Sequence, residues 1–190
     1  LLMILLTVHL IKPEIASAQG DLNQYEAKID EYVSRMMEAG NIPGLSLSVV
    51  KDGESIIMKS YGYSDIKHKI PMDNQMRYQL ASNSKAYTAL GIVLLVNKGL
   101  ISLEAPVTDY IDWFEVYWNG SPARITVRSL LYHTSGIPFE TIGIMSDAEK
   151  GGALEETVRT LKGTSLVYEP DRGCVYASIN YDVLGLLSLI

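Results

Sequence analysis

Apolar side chains recur at helical spacing early in the chain. Between Leu22 and Ala39 they stand three or four positions apart, and Gly40 follows as a stop signal. The stripe consists of Leu22, Tyr25, Ile29, Tyr32, Val33, Met36 and Met37. The pattern predicts an amphipathic helix.

The next segments alternate between apolar and polar positions. Gly44 to Lys51 is apolar at every second position, Asp52-Gly53 follows, and a second run extends from Ser55 to Tyr61. Alternation of this kind favours half-buried strands, and Asp-Gly is a strong turn signal. We therefore predict a β-hairpin.

A continuous apolar segment follows from Ala86 to Val96 and ends at Asn97-Lys98-Gly99. A helix that is hydrophobic all round is typical of a buried element, so we expect this one to be covered on every face. Gly99 is expected to close it in a left-handed cap.

The second half of the chain predicts further helices and an aromatic cluster. Thr126 is a candidate N-cap for a short helix that stops near residues 134–136, an amphipathic stretch runs from Ala153 to Leu161, and Asn180 opens an apolar helix. We expect the aromatic side chains before Thr126 to pack in a core rather than to stack on a ligand. They are Tyr110, Trp113, Phe114, Tyr117 and Trp118.

Composition narrows the class of protein. The 190 residues are 47% hydrophobic and 20% charged, which is typical of a globular domain, and no interdomain linker stands out. The net charge of -6, with acidic and basic residues interspersed, leaves no basic stripe and excludes nucleic acid as a partner. The single cysteine, Cys174, is expected to be a small buried apolar side chain rather than a reactive thiol.

The N-terminus has the order of a secretory signal peptide. Leu1 to Ile11 is almost uninterruptedly apolar and is followed by Lys12-Pro13-Glu14 and the small residues Ala16-Ser17-Ala18. We predict a signal peptide over residues 1–18, cleavage after Ala18, and an extracellular, periplasmic or cell-envelope location for the mature chain. An uncleaved membrane anchor is the alternative, although a bilayer span needs about 20 apolar residues.

The pattern Ser-x-x-Lys occurs three times, at Ser48/Lys51, Ser64/Lys67 and Ser82/Lys85. The first pair falls in a predicted strand, where an odd spacing sends the two side chains to opposite faces. The second lies in a polar turn segment. Only Ser82 and Lys85 stand at the entry to a helix, where a spacing of three residues puts both side chains on one face.

This placement suits nucleophilic catalysis, because a serine hydroxyl is inert until a neighbouring base accepts its proton. An amine taken into an apolar helix environment loses hydration, which favours its neutral, basic form and makes Lys85 a candidate base. The positive end of the helix would stabilise the oxyanion formed when Ser82 attacks a carbonyl. The structural alternative is Ser82 as an N-cap with a solvated Lys85.

Four segments in order carry a resemblance to a known family. Each is similar to a motif of the serine β-lactamase-related and penicillin-binding proteins, in particular of class C β-lactamases. Leu80 to Leu90 resembles the nucleophile motif, Gly99 to Val107 the stretch after its helix, Ile125 to Pro138 the Leu-Leu-x-His-Thr-Ser-Gly segment, and Tyr176 to Gly185 the Tyr-x-Asn motif. The resemblance covers the chain from Tyr25 to its C-terminus.

The resemblance implies an α+β fold of the β-lactamase/transpeptidase-like kind. Such a fold has an antiparallel sheet flanked by helices and a mostly helical part, with the active site between them. It also implies that Tyr176 comes close to Ser82 and Lys85 and relays protons there. Without the family, Tyr176 would be interpreted as a packed aromatic before a helix.

Two departures from the family pattern matter. Ser178 stands where the family has asparagine, so this candidate substrate-binding residue can hydrogen-bond but lacks the amide. The third family motif, Lys-Thr-Gly or His-x-Gly on a later strand, does not occur up to Ile190. Residues 19–190 are therefore expected to be the N-terminal part of a catalytic domain whose site needs that later strand.

His133 and Ser135 suggest a second base and nucleophile. We reject this pair, because the resemblance makes their segment structural support and because a histidine at a helix end commonly caps carbonyls. The three histidines, His9, His68 and His133, are too scattered to form a metal site.

The sequence thus favours a serine hydrolase or acyltransferase that acts through an acyl-enzyme and needs no cofactor. D-amino acid peptides of the peptidoglycan type, β-lactams and esters are the substrates that the resemblance implies. The alternative is a catalytically inactive binding or regulatory protein of the cell envelope with the same fold, which the presence of Ser178 motivates.

Overall fold

The structure is a computed structural model that describes residues 24–141 and 151–189. The chain divides into two compact units, Leu1–Tyr78 and Gln79–Ile190. The resemblance implied a two-part fold, although no linker stands out in the sequence. The predicted signal peptide (residues 1–18) and Leu22 of the first predicted helix lie outside the described residues. Within those residues, no helix is both long and apolar enough to cross a bilayer.

The first unit contains a helix and a three-stranded antiparallel sheet. Helix α1 covers residues 24–40, and the strands are β1 (Gly44–Lys51), β2 (Glu54–Asp65) and β3 (Ile70–Pro71), in the order β1-β2-β3. Asp52 and Gly53 both have positive φ, as a two-residue hairpin turn requires. The predicted hairpin is confirmed, with a longer second strand.

A partly exposed ion pair connects α1 to this sheet. The Lys59 ammonium on β2 lies 2.8 Å from the carboxylate of Asp30 on α1, and the Tyr61 hydroxyl donates to the same carboxylate at 2.7 Å. Val33 of α1 and Ile57 of β2 are buried. Of the predicted stripe, Val33 is buried and Ile29 and Met37 are half-buried, whereas Tyr25, Tyr32 and Met36 are exposed. The prediction is therefore confirmed only in part.

The second unit is mainly helical. Its helices are α2 (Ser84–Asn97), α3 (Val127–Leu131), α4 (Ala153–Arg159) and α5 (Ile179–Leu187), and its short strands β4 (Val116–Trp118), β5 (Ser121–Pro122) and β6 (Thr164–Ser165) form a small sheet. One apolar core unites these elements and includes Phe114, with Tyr110, Trp113 and Trp118 packed against it. The aromatic cluster is thus core packing, as predicted.

Helix α2 is not buried on every side, and that prediction is wrong. Ile92 is its one fully buried residue among those described, while Tyr87, Leu90 and Leu94 are more than half exposed. The physical reason is that α5 packs on one side of α2 only. Gly99, at φ +71, forms the predicted left-handed cap, in which its N–H bonds to the Val96 carbonyl.

The two other helix signals near the site were correct. Thr126 caps α3: its hydroxyl accepts from the Ser129 N–H while the Ser129 side chain accepts from the Thr126 N–H, a complete capping box. Helix α5 begins at Ile179, one residue before the predicted start. These two helices pack on each other and set the position of the segment between β6 and α5.

Cys174 departs from its prediction. Its side chain is exposed, with the sulfur 3.8 Å from the Tyr132 carbonyl oxygen, rather than buried in a core. The reason is local, since Cys174 lies in the loop that joins β6 to α5 and that loop runs along the surface of the unit.

Candidate active site

Ser82 lies in a single 3-10 turn, Ala81–Asn83, that leads directly into α2. The preceding residue, Ala81, has φ +46, which is a strained conformation for a side chain with a Cβ. The Ser82 hydroxyl does not cap the helix, because its partners are the side chains of Tyr176 and Lys85. The structure thereby rules out the N-cap alternative for Ser82.

The hydroxyl groups of Ser82 and Tyr176 form the shortest contact of the site, with 2.7 Å between Oγ and Oη. The Lys85 ammonium donates to Ser82 Oγ at 3.4 Å and to Ser178 Oγ at 3.4 Å. Lys85 stands one helical turn after Ser82, so that the two side chains share a face of the helix, as the sequence predicted. All four candidate residues therefore meet in the second unit.

Lys85 is half-buried between aromatic rings. Its ammonium lies 5.0 Å from the ring centroid of Tyr176 and 5.7 Å from that of Tyr181. Rings at this distance attract a cation through their quadrupoles. The amine is thus held by aromatic faces and by two serine hydroxyls.

Tyr176 is exposed, and its contacts perturb the pKa of its phenol. Its side chain is 42% exposed, which contradicts the interpretation as a packed aromatic. Hydrogen bonding to Lys85, and then to Ser82, lowers the pKa of the Tyr176 phenol, because both interactions favour the phenolate. Its basic form is therefore populated at lower pH than that of an ordinary tyrosine.

The second Ser/His combination does not form a catalytic pair. The Ser135 hydroxyl donates to Asn180 Oδ1 at 2.9 Å, and His133 Nδ1 accepts from the Ala177 N–H at 3.2 Å. The rejection of this pair is confirmed. The expected role of the histidine was wrong in detail, because its ring accepts from a backbone N–H instead of capping a carbonyl.

The serines of the two other Ser-x-x-Lys pairs form hydrogen bonds within the sheet of the first unit. Ser48 Oγ hydrogen-bonds to Ser55 Oγ across the hairpin, and Ser64 Oγ donates to the Ile70 carbonyl. Ser64 lies in strand β2 rather than in a turn segment. Neither serine makes a catalytic contact, which leaves Ser82 as the candidate nucleophile.

Sequence reasoning missed two residues near Lys85. The ring of Tyr181 lies beside the Lys85 ammonium. Asp182 is half-buried on α5, and the charge of Lys85 acts on its carboxyl group. Burial raises the pKa of the Asp182 carboxyl, and the positive charge of Lys85 opposes that rise. The signal that could have found Asp182 is its spacing of four residues from Ser178, which puts both on one face of α5.

The model of the β-lactamase family matches residues 29–188. The chain belongs to the β-lactamase family. Its four candidate residues fall within the matched range.

Two curated relatives of this β-lactamase-family chain agree with the assignment. Protein flp of Staphylococcus aureus (strain COL) is 34% identical over 165 residues, which are 87% of this chain and 33% of the relative. Penicillin-binding protein 4* of Bacillus subtilis (strain 168) is 32% identical over 139 residues, 71% of this chain and 30% of the relative. The chain thus spans about a third of the length of these relatives.

Solved structures confirm the β-lactamase/transpeptidase-like fold. EstCE1, a hydrolase with promiscuous acyltransferase activity, has a TM-score of 0.72 and 26% identity, over 85% of this chain and 45% of the other. D-amino acid amidase from Ochrobactrum anthropi SV3 in complex with D-phenylalanine has a TM-score of 0.65 and 29% identity, over 88% and 45%. A class C β-lactamase in complex with cefoxitin has a TM-score of 0.70 over 88% and 45%, and at 22% identity it shows the fold alone.

Proposed function

We propose that this protein is a serine hydrolase or acyltransferase in which Ser82 forms an acyl-enzyme with an amide, ester or lactam carbonyl. The observation that carries the proposal is the meeting of three side chains: Ser82 Oγ lies 2.7 Å from Tyr176 Oη and 3.4 Å from Lys85 Nζ. A hydroxyl with two potential proton acceptors in reach has what a serine nucleophile requires.

Acylation follows from these contacts. The Ser82 oxygen attacks the carbonyl carbon while its proton passes to the basic form of Tyr176 or Lys85, and the carbonyl π electrons move to the oxygen. The N-terminal end of α2 follows Ser82 directly, so its positive dipole favours that oxyanion. When the oxyanion collapses, the bond to the leaving amine or alkoxide breaks and the leaving group takes up the proton.

Deacylation reverses these roles. Water, or an amine or alcohol acceptor, attacks the acyl carbon and gives its proton to the same base, and the Ser82 oxygen leaves as the ester bond breaks and regains a proton. Water as acceptor makes the protein a hydrolase, and an amine or alcohol makes it an acyltransferase. Nucleophile and proton carriers are all protein side chains, so the proposed chemistry uses no cofactor.

The proposed substrates are D-amino acid peptides of the peptidoglycan type, β-lactams and esters. The support comes from similar proteins: one is described as a hydrolase with acyltransferase activity, another as a D-amino acid amidase, and a third as a penicillin-binding protein. The exposed Ser82 and Tyr176 hydroxyls leave the nucleophile open to an extended acyl donor. Three probes therefore test the proposal: an activated ester, a D-amino acid ester and a β-lactam.

Intact-mass spectrometry of the complete gene product tests it. The protein is exposed to an activated ester, a D-phenylalanine ester and a β-lactam, and any adduct is located by peptide mapping. We expect an adduct on Ser82 that is absent from Ser82→Ala and present in Ser84→Ala, which removes a neighbouring exposed serine. An adduct that persists in Ser82→Ala, or folded wild-type protein that no probe modifies, contradicts the proposal.

A second function has one observation in its favour. Ser178 replaces the family's asparagine, and its contact with Lys85 Nζ is long, at 3.4 Å. A weakly held lysine would favour a protein that keeps the fold as a cell-envelope binding or regulatory module without turnover. Such a protein would bind a D-alanyl-D-alanine peptide in calorimetry and yet form no adduct with the three probes.

We also propose that the protein is exported through its N-terminal segment. The support is the order of the apolar run Leu1 to Ile11 and the small residues Ala16-Ser17-Ala18. An extracellular, periplasmic or cell-envelope location would give it access to peptidoglycan peptides. If the segment stays uncleaved, it would act as a membrane tether.

A further inference from the structure

His133 holds the chain on both sides of Tyr176. Its carbonyl oxygen accepts from the Val175 N–H at 3.0 Å, and its ring Nδ1 accepts from the Ala177 N–H at 3.2 Å. The imidazole also packs against the phenol ring of Tyr176, with 4.6 Å between centroids. One residue thus fixes the backbone before and after Tyr176 and one face of its ring.

The hydrogen bonds define the tautomer of His133. A backbone N–H can only donate, so the Ala177 contact requires a lone pair on Nδ1. Asn180 contacts the same Nδ1 at 3.2 Å and must therefore present its amide nitrogen there. Its carbonyl oxygen then faces the buried Ser135 hydroxyl, which donates to it at 2.9 Å. The proton of the neutral ring must be on Nε2.

The backbone at His133 is also unusual. Its φ of +57 places it in the left-handed region directly after Tyr132, the C-cap of α3. Residues other than glycine are uncommon in this region, and histidine and asparagine are among those enriched in it. The backbone at this position therefore tolerates both histidine and asparagine.

We propose that His133, as the neutral Nε2–H tautomer, is a positioning residue that holds the Tyr176 phenol against Ser82 and so sets a lower pH limit for acylation. This inference rests on the proposed function. Protonation would put an N–H on Nδ1, directly opposite the N–H of Ala177 and the amide of Asn180. Two accepted hydrogen bonds would become repulsive contacts, and Tyr176 would lose its support.

The groups around the ring keep it neutral. Within the described residues, the titratable groups that contact or act on His133 are Lys85 on α2, Tyr168 in the loop after β6, Tyr176 and Tyr181. Burial lowers the pKa of His133, and the positive charge of Lys85 lowers it further. The neutral form therefore persists as the pH falls below the ordinary histidine range, and support for Tyr176 is lost only below that shifted pKa.

Two substitutions test the hydrogen-bond acceptor and the aromatic ring of His133 independently. In His133→Asn the amide oxygen can still accept from the Ala177 N–H, the left-handed backbone is tolerated, and the side chain does not titrate. We expect acylation of Ser82 to fall about fivefold, as for a lost ring contact, and the His133-dependent fall in rate at low pH to vanish. In His133→Phe the ring remains without an acceptor, and acylation should fall about 100-fold because two buried donors are left unpaired.

A readout that does not depend on catalysis separates this inference from the proposed function. Nitrogen NMR of ring-labelled histidine in the complete gene product should show His133 neutral, with Nδ1 unprotonated, and titrating below the ordinary range. In protein with tyrosine labelled at Cζ, the Tyr176→Phe variant identifies the signal of Tyr176. The titration of that signal should change more in His133→Phe than in His133→Asn.

The outcomes are distinct. If Ser82 forms no adduct but the NMR result holds, the proposed function fails and the support of Tyr176 by His133 stands. A protonated Nδ1 overturns the inference whether or not Ser82 forms an adduct. So does a second fall in rate, at a pH below the fall that Tyr176 imposes, that survives in His133→Asn. The tautomer measurement uses the wild-type protein, so it decides the matter even if His133→Phe does not fold.

Discussion

The hydroxyl oxygens of Ser82 and Tyr176 lie 2.7 Å apart although 94 positions separate the two residues in the chain. Ser82 lies in the turn before α2, and Tyr176 lies in the segment before α5. These two helices pack together. The contact joins the candidate nucleophile to a phenol whose pKa is lowered by Lys85 and Ser82.

Lys85 is tested by two substitutions. Lys85→Met removes the amine and Lys85→Arg keeps a charge that does not deprotonate, so both should lower acylation of Ser82 by about 10²-fold to 10⁴-fold. Stopped-flow acylation with an activated ester measures the rate. Lys98→Met, at the opposite end of α2, is the matched control and should be unaffected. Arginine that supports the wild-type rate would contradict a proton-transfer role for Lys85.

Tyr176 should impose its own pH dependence on acylation. Because its pKa is lowered, the phenolate becomes available below the pH at which an ordinary tyrosine ionises, so the rate should rise with pH through that shifted pKa. Tyr176→Phe should lower the rate about 100-fold and remove this rise. The measurement is the acylation rate from pH 5 to about pH 10 on wild type and variant. An unchanged profile in the variant would assign the rise to another group.

Ser178 should respond to changes of side-chain length. Ser178→Ala removes the 3.4 Å contact with Lys85 and should lower acylation about threefold, the order of one hydrogen bond. Ser178→Asn restores the family's longer amide and should hold Lys85 more firmly, raising the rate by a similar factor. Full kinetics with the ester and β-lactam probes would show this. If both variants match wild type, residue 178 has no part in positioning Lys85.

Gly136 should be far less tolerant of a side chain than Gly99. Both have positive φ, but a Cβ at Gly136 would lie 2.4 Å from the Tyr168 carbonyl oxygen, whereas at Gly99 nothing lies within 4 Å. We expect Gly99→Ala to lower the free energy of unfolding by about 1 kcal/mol and Gly136→Ala by about 3 kcal/mol or more. Urea unfolding measures both. Equal losses would show that the Gly136 loop adjusts without cost.

The export proposal makes a prediction about the mature N-terminus. N-terminal sequencing of protein recovered from the envelope or medium should begin at Gln19, after removal of residues 1–18. Replacing Ala16 and Ala18 by bulkier residues should block cleavage and leave the protein attached to membranes. Recovery of the uncleaved chain from the cytosol would contradict export.

Much of the local structure could be predicted from the sequence, because its signals act over a few residues. The hairpin followed from alternation and Asp52-Gly53, the α3 N-cap from Thr126, and the end of α2 from Gly99. The choice of Ser82 and Lys85 among three similar pairs also followed from helical spacing. Each of these features depends on neighbours in the chain, which the sequence displays directly.

The remaining features depend on which elements pack together. Ile92 is buried and Leu90 exposed in one uniformly apolar helix because α5 covers one side only. The surface position of Cys174 and the acceptor role of His133 arise in the same way, from a loop and a backbone N–H that are distant in sequence. Composition alone does not distinguish these outcomes.

The sequence by itself thus determined the hairpin and most helix positions, since these rest on periodicity and short spacing. Helical spacing and the family motifs together made Ser82 the candidate nucleophile. The resemblance implied that Tyr176 comes close to Ser82, and the tertiary structure bears this out with a contact of 2.7 Å. Only the tertiary structure decided that Lys85 lies between two aromatic rings and that His133 holds Tyr176 from both sides. The physical reason is that hydrogen bonds and ring contacts need distances of a few ångströms, which chain folding sets and residue order does not.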